Sequence, residues 1–192
     1  MKNNLKNLAA IAIVALIAFS FTTIEDTRKD IKLENSEVNW KAFKVTGSHE
    51  GTISLKSGFL TFKEEVLTGG EFVIDMTSIA CTDLEGEYKG KLEGHLKSDD
   101  FFGVEGNPTS TLVITKVKSN GKNSYEVTGD LTIKGKTNPI TFDFSVYGQK
   151  ASASLKIDRA LFDVKYGSTS FFEGLKDKAI YDEFDLNVAL EF

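Results

Sequence analysis

The chain has 192 residues, 41% hydrophobic and 27% charged, with a formal net charge of −5. That is one domain's length with a globular composition, and it excludes disordered, collagen-like and proline-rich chains. The acidic balance, with no basic stretch, argues against nucleic acid as a partner, because that binding depends on neutralising phosphates.

Residues 1–20 have the form of a secretory signal peptide. Lys2 and Lys6 precede an uncharged run from Leu8 to Phe21, and Ala18-Phe19-Ser20 puts small residues at the cleavage positions. The run of 14 residues is shorter than the roughly 17–25 that span a bilayer. A retained anchor is the alternative to cleavage. The sequence thus predicts a periplasmic or secreted protein with no stable membrane span once the leader is removed. Residues 21–30 are polar and read as a flexible linker, and 31–192 as the folded domain.

The first strand runs, Val38–Val45, Gly51–Ser57, Gly58–Lys63 and Glu71–Ile79, alternate imperfectly, with a turn expected at Thr68-Gly69-Gly70. Cys81 is the only cysteine, so neither an internal disulfide nor a cysteine-built zinc site can form. Its apolar setting, Ser78-Ile79-Ala80, reads as that of a buried, inert thiol. The period then changes. Leu84, Tyr88, Leu92 and Leu96 are four apart and predict a helix over about 82–96, begun by a capping box of Thr82 and Glu85. Gly86, Gly90 and Gly94 form a bare stripe beside that face, which implies close approach to a neighbour or a weak helix.

After a run at Thr109–Lys118 the alternation becomes clean. Tyr125–Ile133, Ile140–Val146, Ala151–Ile157 and Phe184–Phe192 each put apolar residues on one face and polar residues on the other. Asn120-Gly121 reads as a hairpin turn, and Asn138-Pro139 and Gly148 mark further turns. The sum is a mainly β domain of eight to nine antiparallel strands with one helix. Such a sheet removes its edges by closing or by folding into a sandwich. An eight-stranded barrel is just wide enough to be filled by side chains or to hold one small ligand, and 15 phenylalanines can do either.

Catalytic and metal-binding patterns are missing from the sequence. No nucleophile elbow, zinc-protease helix, phosphate loop or dinucleotide fingerprint occurs. The two histidines, His49 and His95, have no ligand spacing and read as structural. Asp99-Asp100 and Asp182-Glu183 read as caps and solvated turns. Arg159, one of two arginines, ends a strand and pairs with a carboxylate or holds a polar head group.

An ordered set of short motifs resembles the YceI-like proteins. Ser36-Glu37-Val38-Asn39-Trp40, Gly47-Ser48-His49-Glu50-Gly51 and Gly58 match the family's start. Asp75-Met76-Thr77-Ser78-Ile79, His95-Leu96-Lys97-Ser98-Asp99-Asp100-Phe101-Phe102 and Pro108 continue the match. Gly129-Asp130-Leu131-Thr132-Ile133-Lys134-Gly135-Lys136-Thr137, Asp158-Arg159, Tyr166-Gly167 and Asp182 complete it, so the resemblance covers roughly Ile31 to Phe192.

The resemblance implies a single lipocalin-like antiparallel β-barrel with the helix packed at one end. It implies an exported, non-catalytic protein that holds a polyisoprenoid, quinone or similar amphiphilic lipid in an internal tunnel, as carrier or reservoir, with no metal and no other cofactor. The alternative is a stress-related structural or interaction protein whose barrel is filled. Candidate wall residues on the apolar faces are Trp40, Leu60, Phe62, Phe72, Ile74, Met76, Leu112, Ile114, Leu131, Ile133, Phe142 and Phe144. His49, His95, Asp158 and Arg159 are candidates near a head group, and Phe171-Phe172 lies in a loop able to cover an opening.

Overall fold

A computed structural model describes residues 26–192, so the leader expected over 1–20 lies outside the described residues. Among the described residues there are nine strands: β1 Thr27–Asp30, β2 Glu37–Lys44, β3 Gly47–Lys63, β4 Val66–Cys81, β5 Thr109–Gly121, β6 Ser124–Ile133, β7 Lys136–Tyr147, β8 Lys150–Asp158 and β9 Ile180–Glu191. One α-helix, α1 Gly86–Lys97, lies between β4 and β5. All pairings are antiparallel, and the order β3-β2-β9-β8-β7-β6-β5-β4 is closed by β3 pairing with β4. The result is an eight-stranded barrel with β1 added alongside the distal half of β3.

The antiparallel course sorts the connections onto two ends. One end carries the two long excursions, residues 82–108 with α1 and residues 159–179. The other end carries two-residue hairpins at Glu64-Glu65, Lys122-Asn123 and Gly148-Gln149. Glu64 and Glu65 have φ of 50° and 67°, the left-handed pair that matches strand twist in a tight hairpin. Inward-facing Leu60, Phe62 and Leu67 are buried on both arms and pin this register. The turn therefore sits at Glu64-Glu65, and Thr68-Gly69-Gly70 lies inside β4. Gly70 is there for space: a Cβ would stand 2.7 Å from the Phe59 carbonyl oxygen and 3.0 Å from Leu60. Likewise the hairpin after β5 turns at Lys122-Asn123, past Asn120-Gly121, and Asn138-Pro139 lies inside β7. The two runs expected at Gly51–Ser57 and Gly58–Lys63 are one strand, β3, broken only by register shifts.

The described part of the expected linker is not wholly loose. Thr27–Asp30 pairs with Phe59–Phe62, and its cations cover aromatic rings. The Arg28 guanidinium lies 3.6 Å from the Phe59 ring centre, and the Lys29 ammonium 4.7 Å from Phe62 and 5.2 Å from Phe192. Polar residues form an ordered strand here because their charges sit on ring faces.

The helix departs from its expected start. Thr82 donates its hydroxyl to the Glu50 carbonyl, and Glu85 at the N-cap makes no side-chain cap bond, so the capping box does not form. Leu96 is buried and Leu84 and Leu92 pack on the core, while Tyr88 is exposed. Nothing lies within 4 Å of a Cβ placed on Gly86, Gly90 or Gly94, so the glycine stripe faces open space and makes no close approach.

The core has two parts. Leu60, Phe62, Leu67, Tyr125, Val146 and Phe192 fill the hairpin end. Trp40, Met76, Ile79, Leu96, Phe101, Ile133 and Phe162 gather at the helix end. Trp40 lies over Gly51, where a Cβ would meet the Ala80 carbonyl oxygen at 1.9 Å and the indole at 2.6 Å. Two glycine substitutions should therefore act in opposite directions. Gly51→Ala is expected to destabilise by about 1–3 kcal/mol through overpacking, and Gly90→Ala to stabilise by about 0.5–1 kcal/mol through helix propensity. Chemical denaturation of the two variants against the parent checks both signs.

Candidate functional site

The barrel is hollow between its two packed ends. Nearest the helix, β-strand side chains, Leu96 of α1 and the Phe101-Phe102 pair enclose a cavity of about 120 Å³. A second chamber of about 80 Å³ continues toward the hairpin end, and every residue lining it is apolar. Val38, Ile74, Leu131, Ile157 and Leu186 line both, so the two chambers adjoin along the barrel axis. A water molecule needs only roughly 10–15 Å³ on this measure, but it also needs polar partners, which the walls of the second chamber do not provide. Tyr181 lines the first chamber and is 56% exposed, which marks where the cavity reaches the surface. The inner end stops at Phe144 and Leu190, below which Leu60, Phe62, Tyr125 and Phe192 are packed solid.

Among the described residues, Arg159 is the only charged side chain on either wall. It follows β8 and is 2% exposed. Its Nη1 donates to the Val164 carbonyl at 2.7 Å, its Nη2 to Ile180 at 3.1 Å and its Nε to Tyr181 at 3.2 Å. Nη2 also lies 3.3 Å from Asp182 Oδ1, a charge contact without hydrogen-bond alignment, and the guanidinium stands 5.3 Å from the Phe101 ring centre. Burial lowers the guanidinium's pKa, and Asp182 and Asp158 oppose that shift. Arg159 thus ties the 159–164 turn to the start of β9 at the cavity rim.

Residues 30–192 match the YceI-like domain. The chain belongs to the YceI-like family. A UPF0312 protein of Pseudomonas putida strain W619 is 28% identical over 146 residues, 75% of this chain and 74% of that protein. A UPF0312 protein of Pseudomonas aeruginosa strain LESB58 is 47% identical over a shorter stretch of 55 residues, 29% of this chain and 28% of that one. Among solved structures, Burkholderia cenocepacia BcnA superposes with a TM-score of 0.65 at 24% identity, covering 84% of this chain and 98% of that one. A polyisoprenoid binding domain from Saccharophagus degradans superposes with a TM-score of 0.57 at 14% identity, covering 84% and 95%. These structural likenesses show that the YceI-like barrel is shared.

Of the twelve wall candidates, Trp40, Met76 and Ile133 line the first chamber, Phe72, Leu112, Phe142 and Phe144 the second, and Ile74 and Leu131 both. Leu60 and Phe62 are in the solid hairpin end, and Ile114 packs against it, so these three are core. Sequence reasoning missed Val38, Ile157, Phe184 and Leu186, although the same alternation in β2, β8 and β9 marks them. It also missed the rim residues Ile180 and Tyr181 at the start of β9.

The four head-group candidates separate. Only Arg159 touches the cavity. Asp158 accepts the Ala160 N–H at 2.9 Å and caps the turn. The His95 ring packs 4.3 Å from Tyr166 and 5.7 Å from Phe101, with a buried Nε2 that has no partner, behind the wall. His49 lies outside the barrel, with Nδ1 2.9 Å from Asp83 Oδ2.

Asp83 joins the barrel to the helix excursion. Burial favours its neutral form, yet bonds from the Cys81 thiol, the Glu50 N–H and the His49 ring, with the His49 charge, hold its pKa down at about 2. The Cys81 thiol is correspondingly buried and shifted upward, first by desolvation and then by Asp83. Because the folded pKa of Asp83 lies below its ordinary 3.8, its stabilisation is complete above about pH 4 and is lost as pH falls toward 2. Asp83→Asn should lower the melting temperature at neutral pH and flatten the acid limb between those values in a pH series of thermal melts. Arg159→Met should cost about 3–5 kcal/mol, because it strands Asp182 and three carbonyls; equilibrium denaturation measures it.

Proposed function

We propose that this YceI-like protein is an exported, non-catalytic binding protein. It holds a polyisoprenoid, quinone or similar amphiphilic lipid in the barrel as carrier or reservoir. The observation that carries the reading is the pair of adjoining apolar chambers, which run inward from a rim bearing one buried arginine. Each methylene moved from water into such a wall contributes about 0.8 kcal/mol, so a long apolar chain gains strong binding without any polar recognition along its length. The shared fold of the Saccharophagus degradans polyisoprenoid binding domain points to the same ligand class. Export rests on the leader-like segment at residues 1–20. A barrel filled throughout, the rival structural role, conflicts with the space left above Phe144 and Leu190.

Trp40, the chain's single tryptophan, lines the first chamber and reports on occupancy. Adding a short-chain ubiquinone should quench its emission saturably. Leu186→Phe, placed where the chambers meet, should weaken that binding roughly tenfold by occluding the passage. Solvent extraction and mass spectrometry of the purified protein should release a lipid. No extracted lipid and no quenching together overturn the binding role. Cell fractionation with intact mass tests export: recovery in the cytoplasm with Met1 retained overturns it.

A further inference from the structure

We infer that the cavity selects lipids with an uncharged polar head, an alcohol or a quinone carbonyl, and discriminates against phosphate and diphosphate esters of the same chain. The inference rests on the lipid-binding reading above and narrows it. Among the described residues, no lysine and no histidine lines either chamber, and the first contains a single cation, Arg159. That charge is already balanced by Asp182 at 3.3 Å. Of the five N–H groups a guanidinium carries, three donate to the carbonyls of Val164, Ile180 and Tyr181. What remains suits one neutral oxygen acceptor.

Ser110, Lys134 and Asp182 are similarly engaged. Ser110 donates its hydroxyl to the Thr132 carbonyl at 2.6 Å. Lys134, which reaches the Phe101 wall from outside, donates its ammonium to the carbonyls of Asp99 and Phe101. Asp182 accepts the Ser170 hydroxyl and keeps its second oxygen against Arg159. A phosphate drawn inward to Arg159, which is 2% exposed, would lose its water, meet an arginine whose charge is already balanced and face the Asp182 carboxylate. Burying an ionised group without a free counter-charge is strongly unfavourable, whereas a hydroxyl or carbonyl needs only one partner.

Farnesol and farnesyl diphosphate match in chain and differ in head, and both can be titrated against Trp40 emission. Farnesol is expected to bind at least roughly tenfold more tightly. Diphosphate binding as tight as that of the alcohol, or tighter, overturns the inference and leaves the lipid-binding reading standing. Binding of neither overturns the lipid-binding reading and this inference with it. Asp182→Asn removes the balancing charge and should shift the preference toward the diphosphate. An unchanged ratio in a variant whose circular dichroism matches the parent overturns the charge argument.

Discussion

An antiparallel sheet loses its edges only when its outermost strands pair, and here that closure is β3 against β4. These are the longest strands, 17 and 16 residues, and their hairpin runs the height of the barrel. Closure at eight strands fixes a bore that side chains can fill or one narrow ligand can occupy. Everything about the site follows from that width. Inward residues at the hairpin end consume the bore, and toward the helix the bore stays open. Gly51, Gly70 and Gly129 lie where neighbouring atoms come within about 3 Å of any added Cβ, so the barrel wall tolerates its own register shifts only with hydrogen there.

The helix end is held by polar contacts, and each joins elements that the sheet alone would leave separate. Arg159 fastens the 159–164 turn to β9. Asp83 fastens the strand end at Cys81 to Glu50 and His49. Glu93 of α1 accepts the Cys81 N–H at 2.8 Å, so the helix is bonded to the barrel as well as packed on it. These groups are engaged in shaping the rim, which explains why so polar a region contributes so little polarity to the cavity itself.

Much of this was legible in the sequence, because period-two alternation depends only on one face being dry. The strands from Tyr125 onward emerge with their faces assigned, and the wall residues they contribute follow from those faces. Turns were less legible. Glycine-bearing segments at Thr68-Gly69-Gly70 and Asn120-Gly121 looked like turns, yet the chain bends at Glu64-Glu65 and Lys122-Asn123. Burial of Leu60, Phe62 and Leu67 outweighs the local cost of left-handed glutamates, and that is a tertiary effect invisible in a four-residue window. The solid end was hidden for a related reason. Alternation says that Leu60, Phe62 and Phe72 face inward, but only the level along the axis separates plug from wall.

That axial level also explains how one Phe-rich composition serves both purposes. Phe62 and Phe192 stack at 5.4 Å beneath Lys29 and close the hairpin end. Phe142 and Phe144 stand 6.3 Å apart edge to face at the floor of the inner chamber. Phe101 and Phe102, 5.0 Å apart, form the wall nearest the helix. The same side chain is therefore plug, floor and roof, according to height. On the proposed lipid-binding reading, a ligand entering at the Tyr181 rim would meet hydrocarbon along its length and stop against phenylalanine, so where the aromatics begin would set its length. Arg159, the one cation on the chamber walls among the described residues, is already paired, so on the same reading the head group would be chosen by desolvation more than by attraction.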